Sequence, residues 1–263
     1  MKISKISFIG AGNVATNLAI AFYNSGIKIK SIYSRNIKNA INLASKTDAI
    51  PTDNIGDIDK NSDLYIISVP DNAIESILNN LSLVLDKEAR CVHTSGSLPI
   101  EIFKNYFKNY GSLYFLQTFT KTDITDLTNV PCLINSNSLS FSEELKNLGF
   151  KVSQKVDFID DKQKKTLHIA AVFSNNFVNY LFSISKKISE DNKVKFEYLY
   201  PLIQETCEKI IKGNDPKSIQ TGPAIRKDYK TMEEHEQYLK TYNENYEKIY
   251  KLLSDELIKN GIK

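Results

Sequence analysis

The chain has 263 residues, 41% of them hydrophobic and 25% charged, with a formal net charge of +3. That length allows one large or two ordinary domains with a substantial core. The near-neutral charge gives no general case for binding nucleic acid or a membrane surface, and no apolar run approaches the ~20 residues that span a bilayer.

Met1-Lys2 leads directly into an apolar run carrying Ile3, Ile6, Phe8 and Ile9, which reads as a strand with no signal peptide before it. The run enters Gly10-Ala11-Gly12-Asn13-Val14-Ala15 and then a helix with Val14, Leu18, Ala21 and Phe22 on one face, ending at Gly26. Gly10 permits a tight turn, and Gly12 removes the Cβ that would block a pyrophosphate. Ala15 lets the helix pack close to the strand. The first helical N–H groups, at Asn13 and Val14, then face an anion.

The second strand spans roughly Ile29 to Tyr33 and ends in Ser34-Arg35-Asn36. A site for NAD places a carboxylate there, on the ribose 2′-hydroxyl. Here a hydroxyl and a guanidinium stand in its place, with Lys38 nearby, and guanidinium pairs with phosphate in a forked, charge-assisted way. The pattern points to NADP(H). The plainer account of Arg35 is a solvated residue opening the next helix.

Leu64 to Val69 is a continuous apolar strand, as expected where both sheet faces are covered, followed by Pro70-Asp71 and a helix with Ile74, Ile77, Leu78 and Leu81. Cys91 to Thr94 is a shorter strand, and Pro99 marks the start of a helix. Val69, Pro70 and Thr94, at strand ends, join the expected coenzyme contacts. Tyr114 to Leu116 and Cys132 to Ile134 read as further strands, 140–148 as a helix and 150–155 as a last strand. This βαβα order predicts an α/β, doubly wound parallel sheet over residues 1–155.

Residues 156–263 are helical in pattern. Lys162 to about Asp191 reads as one long helix with its lysine run solvated, and 195–212 as another. A loop over 213–227 precedes one or two final helices with an apolar stripe at Tyr242, Tyr246, Ile249, Leu252 and Leu253. Cys91, Cys132 and Cys207 are scattered, without zinc-site spacing, and read as reduced, buried thiols of a cytoplasmic protein. A small-molecule substrate would sit between the two halves, outside the carboxyl ends of the strands.

Three segments could carry chemistry there. In His93-Thr94-Ser95-Gly96-Ser97, short hydroxyls and a glycine suit backbone N–H groups converging on an anion or carbonyl, or equally a tight turn capped by serines. His93 lies in the strand and reads as a hydrogen-bonded core residue. On the long helix, at 100° per residue, His168, Asn175 and Asn179 fall within about 40° of one another. They form either a polar wall over substrate, with His168 as proton donor, or a polar helix contact. In Gln220 to Asp228, Arg226 is either an anion clamp or half of a salt bridge. Lys121, closing Leu116 to Lys121, could also reach the cleft.

The strings GAGNVA, IYSR, DLYIISVPDNAI, HTSGS, LQTFTK, LHIAAVFSNNFVNY, PLIQET and QTGPAIRKD occur in that order, from about residue 4 to 250. Together they resemble a bacterial family of Rossmann-like proteins with a C-terminal domain of unknown function, described as NADP oxidoreductases. In plan these are similar to pyrroline-5-carboxylate reductase, ketopantoate reductase and prephenate dehydrogenase. The resemblance implies a Rossmann domain followed by an all-α domain of the 6-phosphogluconate dehydrogenase type, and a homodimer built through the helices. The Lys-x-x-x-Asn helix motif of the hydroxyacid dehydrogenases has no clear copy. The expected function is hydride transfer to or from a carbonyl or imine of a small anionic metabolite. His168 would supply the proton, Asn175 and Ser95 would orient the reacting group, and Arg226 would clamp the anion. The rival expectation is a non-catalytic NADP(H) sensor acting through a helical dimer.

Overall fold

The computed structural model describes residues 3–260, so the Met1-Lys2 lead-in to the first strand lies outside the described residues. The chain divides into two compact units at Val172/Phe173. The first unit runs β1 (Lys5–Ile9), α1 (Asn13–Asn24), β2 (Lys28–Tyr33), α2 (Ile37–Ala44), β3 (Ile50–Thr52), β4 (Leu64–Ile67), α3 (Ile74–Leu81) and β5 (Arg90–His93). It continues through β6 (Asn109–Phe115), β7 (Cys132–Ser136), α4 (Leu139–Gly149), β8 (Val156–Phe158) and α5 (Asp161–Ala171).

The sheet order is β3-β2-β1-β4-β5-β6-β7-β8. Neighbours are parallel except β6 with β7, so the expected parallel sheet carries one antiparallel pair. Residues 116–131 join that pair without a helix, and an antiparallel return needs no helical crossover. Both faces are covered. Every residue of β4 is buried, as are Ile6, Phe8 and Ile9 of β1. On α1, Ala15, Leu18, Ala19 and Phe22 are buried, and Phe22 meets Phe115 edge-on at 6.5 Å. Each such side chain stabilises the fold by about 1.5–3 kcal/mol if large and fully buried.

Three sequence expectations for this unit need correction. The last strand is Val156–Phe158, not 150–155. Residues 150–153 wrap the end of α4, with Lys151 N bonded to Leu148 O and Ser153 N to Gly149 O. A short 3-10 turn, Ile100–Phe103, replaces the helix expected after Pro99. Within the lysine run, Lys162 and Lys165 are exposed but Lys164 is fully buried.

A π-helical turn (Val172–Phe177) follows α5, and then come α6 (Val178–Asp191), α7 (Tyr200–Ile211), α8 (Pro223–Arg226), α9 (Tyr229–Tyr242) and α10 (Glu244–Asn260). The constant 100° step used for His168, Asn175 and Asn179 does not hold through this wider turn. Cys91 and Cys132 are buried, and burial pushes both thiols up, whereas Cys207 is exposed, contrary to expectation. Leu252 and Leu253 of α10 are also exposed. No helix among the described residues is long and apolar enough to cross a membrane.

Candidate functional site

The order 3-2-1-4 makes the β1/β4 boundary the switch point of the sheet, where a doubly wound fold binds ligands beyond its strand ends. A cleft of about 610 Å³ opens there. Gly10, Gly12, Ser34, Arg35, Val69 and Pro70 all line it. Gly10 has φ +117°, and a Cβ on it would lie 2.1 Å from the Ser68 carbonyl oxygen, so only glycine fits. Gly12 differs. A Cβ there meets nothing within 4 Å, which leaves the approach to α1 open.

Gly12 is the N-cap of α1, its first turn holds no acidic residue, and no side chain caps it. The N–H groups around Asn13 and Val14 therefore keep donor capacity for an anion. Thr94 does not line the cleft directly, but its hydroxyl bonds that of Ser68, a lining residue, at 2.9 Å. At the β2 end, Arg35 is exposed beside Ser34, Asn36 and Asn39. Lys38 is absent from the lining, where Lys121 stands instead. None of the lining residues is Asp or Glu, so the wall carries Arg35 and Lys121 with no carboxylate against them. This donor set fits a dinucleotide with an additional phosphate.

A second cluster lies at the end of β5. The Tyr114 hydroxyl is 3.2 Å from His168 Nδ1, and the rings meet edge-on at 6.1 Å. A Cβ on Gly96 would stand 2.7 Å from His168 Nδ1 and 2.9 Å from Tyr114 Cζ, so the glycine of HTSGS is what lets this pair sit against the loop. Ser95 Oγ accepts from Ser97 N at 3.2 Å and Leu98 N at 3.1 Å, the capped-turn arrangement, and the Ser97 hydroxyl donates to Asp71. Beneath the loop, buried Lys164 donates to Leu98 O at 2.8 Å and lies 2.8 Å from Asp161 Oδ1. Asp161 Oδ2 in turn accepts from Ile100 N at 2.9 Å. Burial lowers Lys164 against its ordinary value. Asp161 is also held low: burial opposes this, and the Lys164 and Ile100 hydrogen bonds outweigh it.

Comparison with known proteins bears on this geometry. Residues 5–92 match the family model described as "NADP oxidoreductase coenzyme F420-dependent", and residues 130–257 match a domain of unknown function, DUF2520. The crystal structure of BF3122 from Bacteroides fragilis, provisionally described as an NADP oxidoreductase, is 35% identical with a TM-score of 0.92, covering 98% of each chain. The chain belongs to this NADP oxidoreductase family. Protein TM1727 from Thermotoga maritima is 27% identical with a TM-score of 0.74, over 95% of this chain and 98% of that one. An imine reductase from Myxococcus stipitatus, solved with NADP+, shares the fold at 16% identity and a TM-score of 0.67, over 98% of this chain and 95% of its own. No curated protein matches.

NADP, read from Ser34 and Arg35, is named in the family's description beside coenzyme F420, and in that of the Bacteroides fragilis relative. Of the remaining expected site residues, Ser95 and His168 belong to the first unit of this oxidoreductase and are half-buried. Asn175 (in the π turn) and Arg226 (ending α8) belong to the second and are exposed. Sequence reasoning missed Tyr114, which reads as one more strand aromatic. It also read buried Lys164 as part of a solvated lysine run, although the i,i+3 spacing from Asp161 was the available signal of an ion pair.

Proposed function

We propose that this oxidoreductase binds NADP(H) in the first-unit cleft and transfers hydride to or from a carbonyl or imine of a small anionic metabolite. One observation carries the reading: an open glycine approach to a helix N-terminus shares a cleft with two cations and no carboxylate. NADP(H), when bound, supplies or accepts the hydride. The chain's share is to place the reactants and to handle a proton.

His168 is the group for the proton. The Tyr114 hydroxyl can donate to Nδ1 when the ring is neutral and accept from it when the ring is charged, so it stabilises both states of a group that must cycle between them. Burial raises the Tyr114 phenol, which keeps it protonated and able to do both. Ser95, held as a turn cap, positions the loop over this pair. Asn175 as orienting group and Arg226 as anion clamp complete the proposal on their residue chemistry alone.

The test pairs binding with turnover. Calorimetry is expected to show NADP(H) bound more tightly than NAD(H), and oxo and imino acids screened at the reduced-nicotinamide absorbance should reveal turnover. In His168→Ala the rate should fall about 10²-fold, within the range for general acid–base catalysis, with coenzyme affinity unchanged. Tyr114→Phe should shift the pH profile of the rate instead. An unaltered rate in His168→Ala ends the assignment.

The helices of the second unit support a homodimer as the working form. In α7 no residue is buried, and Leu202 and Ile211 are 65% and 83% exposed. Phe173, Phe177 and Tyr180 are each at least half exposed on the π turn and α6. Phe173 and Phe177 also meet edge-on at 5.0 Å, and monomers rarely expose large contiguous apolar patches. Light scattering should return twice the chain mass, and Phe177→Glu should shift it toward the monomer.

A further inference from the structure

We propose that Lys121 is a second cation for the adenosine 2′-phosphate of NADP(H), delivered by the connection between β6 and β7 and set in place by Asn17. The inference rests on the NADP(H) reading above. A phosphate monoester carries about −1.5 to −2 charges at neutral pH. Arg35 brings one positive charge, so a single guanidinium leaves the group under-neutralised. Lys121 is the other cation lining the cleft, and its Nζ donates to Asn39 Oδ1 at 3.4 Å. Asn39 lies in the first turn of α2, four residues after Arg35. The ammonium is therefore held at the β2–α2 turn, where a 2′-phosphate falls, rather than at the Gly10–Gly12 end that takes the diphosphate.

Lys121 comes from far along the chain, and its arrival is not left to a floating loop. Asn17 is fully buried on α1. Its Nδ2 donates to Thr120 O at 2.7 Å and Asn13 O at 2.9 Å, and its Oδ1 accepts from Thr125 N at 2.8 Å. A buried amide without partners would be costly, and two of these three bonds are made to the segment 120–125. Asp123 N donates to Thr120 Oγ1 at 3.2 Å and closes the turn. The residue next to Lys121 is thus anchored through its backbone to the same helix whose N-terminus faces the cleft. Lys121 itself is exposed and forms no ion pair among the described residues, so its charge is available.

The experiment is calorimetric titration of the full chain with NADP, NAD and adenosine 2′,5′-bisphosphate, on wild type, Lys121→Gln, Lys121→Arg and Arg35→Gln. Lys121→Gln is expected to weaken NADP and the bisphosphate about tenfold while NAD stays within about twofold, and Lys121→Arg to keep most of the NADP affinity. Thermal unfolding of the variants checks that the exposed substitution leaves the fold intact. The proposal is overturned if Lys121→Gln leaves NADP affinity unchanged, or weakens NAD as much as NADP. A loss of NADP preference in Arg35→Gln alone would remove Lys121 and leave the coenzyme reading standing. A wild-type protein that binds NAD as tightly as NADP would remove both.

Discussion

Gly12→Val is expected to leave the thermal midpoint close to that of wild type and to abolish measurable NADP(H) binding. The backbone at Gly12 has φ −82° and ψ −170°, an extended conformation open to any residue. No atom lies within 4 Å of where its Cβ would stand, so the folded chain accommodates the side chain without displacement. That same empty volume belongs to the cleft, at the N-terminus of α1, where a diphosphate must approach the N–H groups to within hydrogen-bond distance. Two methyl groups there keep the anion out. Gly10→Ala is the opposite control. Its φ of +117° disfavours any Cβ, and the Ser68 carbonyl 2.1 Å away is backbone at the end of β4 and cannot turn aside. Strain and overpacking together should cost about 2–5 kcal/mol. Calorimetry with NADP and thermal unfolding of both variants separate the two glycines. Wild-type affinity in Gly12→Val would mean that the coenzyme does not use this helix terminus.

The contrast between these glycines also shows what the sequence could reveal. Both stand in one six-residue string, and their conformational and spatial requirements follow from the strand before and the helix after. The same holds for β4, whose unbroken Leu64–Ile67 run announces a strand covered on both faces. Short pieces were harder. The three residues of β3 include Pro51, which argues against a strand, and Ile50 is exposed. The site residues missed were those defined by long-range contacts. Tyr114 meets His168 across 54 positions, and Lys164 reaches Leu98 across 66. A lysine in a charged run reads as solvated until the fold closes over it. Periodicity failed at Val172–Phe177 for a different reason: local spacing assumes one helical pitch, and a π turn changes it.

Acid should destabilise the protein well above the range where carboxylates titrate, and His93 is the reason. Its ring is fully buried on β5, stacked on Phe103 at 5.7 Å and 7°, with Nδ1 accepting from Ser95 N at 3.2 Å. Burial, then the Lys164 charge, lower its pKa from 6.5 to about 3, with Asp161 opposing. The native state therefore keeps His93 neutral where the unfolded chain protonates it. Stability is complete above about pH 6.5 and falls as the pH drops from 6.5 toward 3, by about 1.4 kcal/mol per unit once well inside that window. Between pH 7 and 5 the loss from this group should be about 2 kcal/mol, read from urea unfolding at the two pH values. His93→Gln keeps an acceptor for Ser95 N and removes the titration, so its stability should change about 2 kcal/mol less over the same interval. Equal changes in the two proteins would show that the proton goes elsewhere. The consequence reaches the site. Charging His93 puts a proton on the nitrogen that holds Ser95 N, and the loop it releases carries Gly96, against which His168 and Tyr114 are packed.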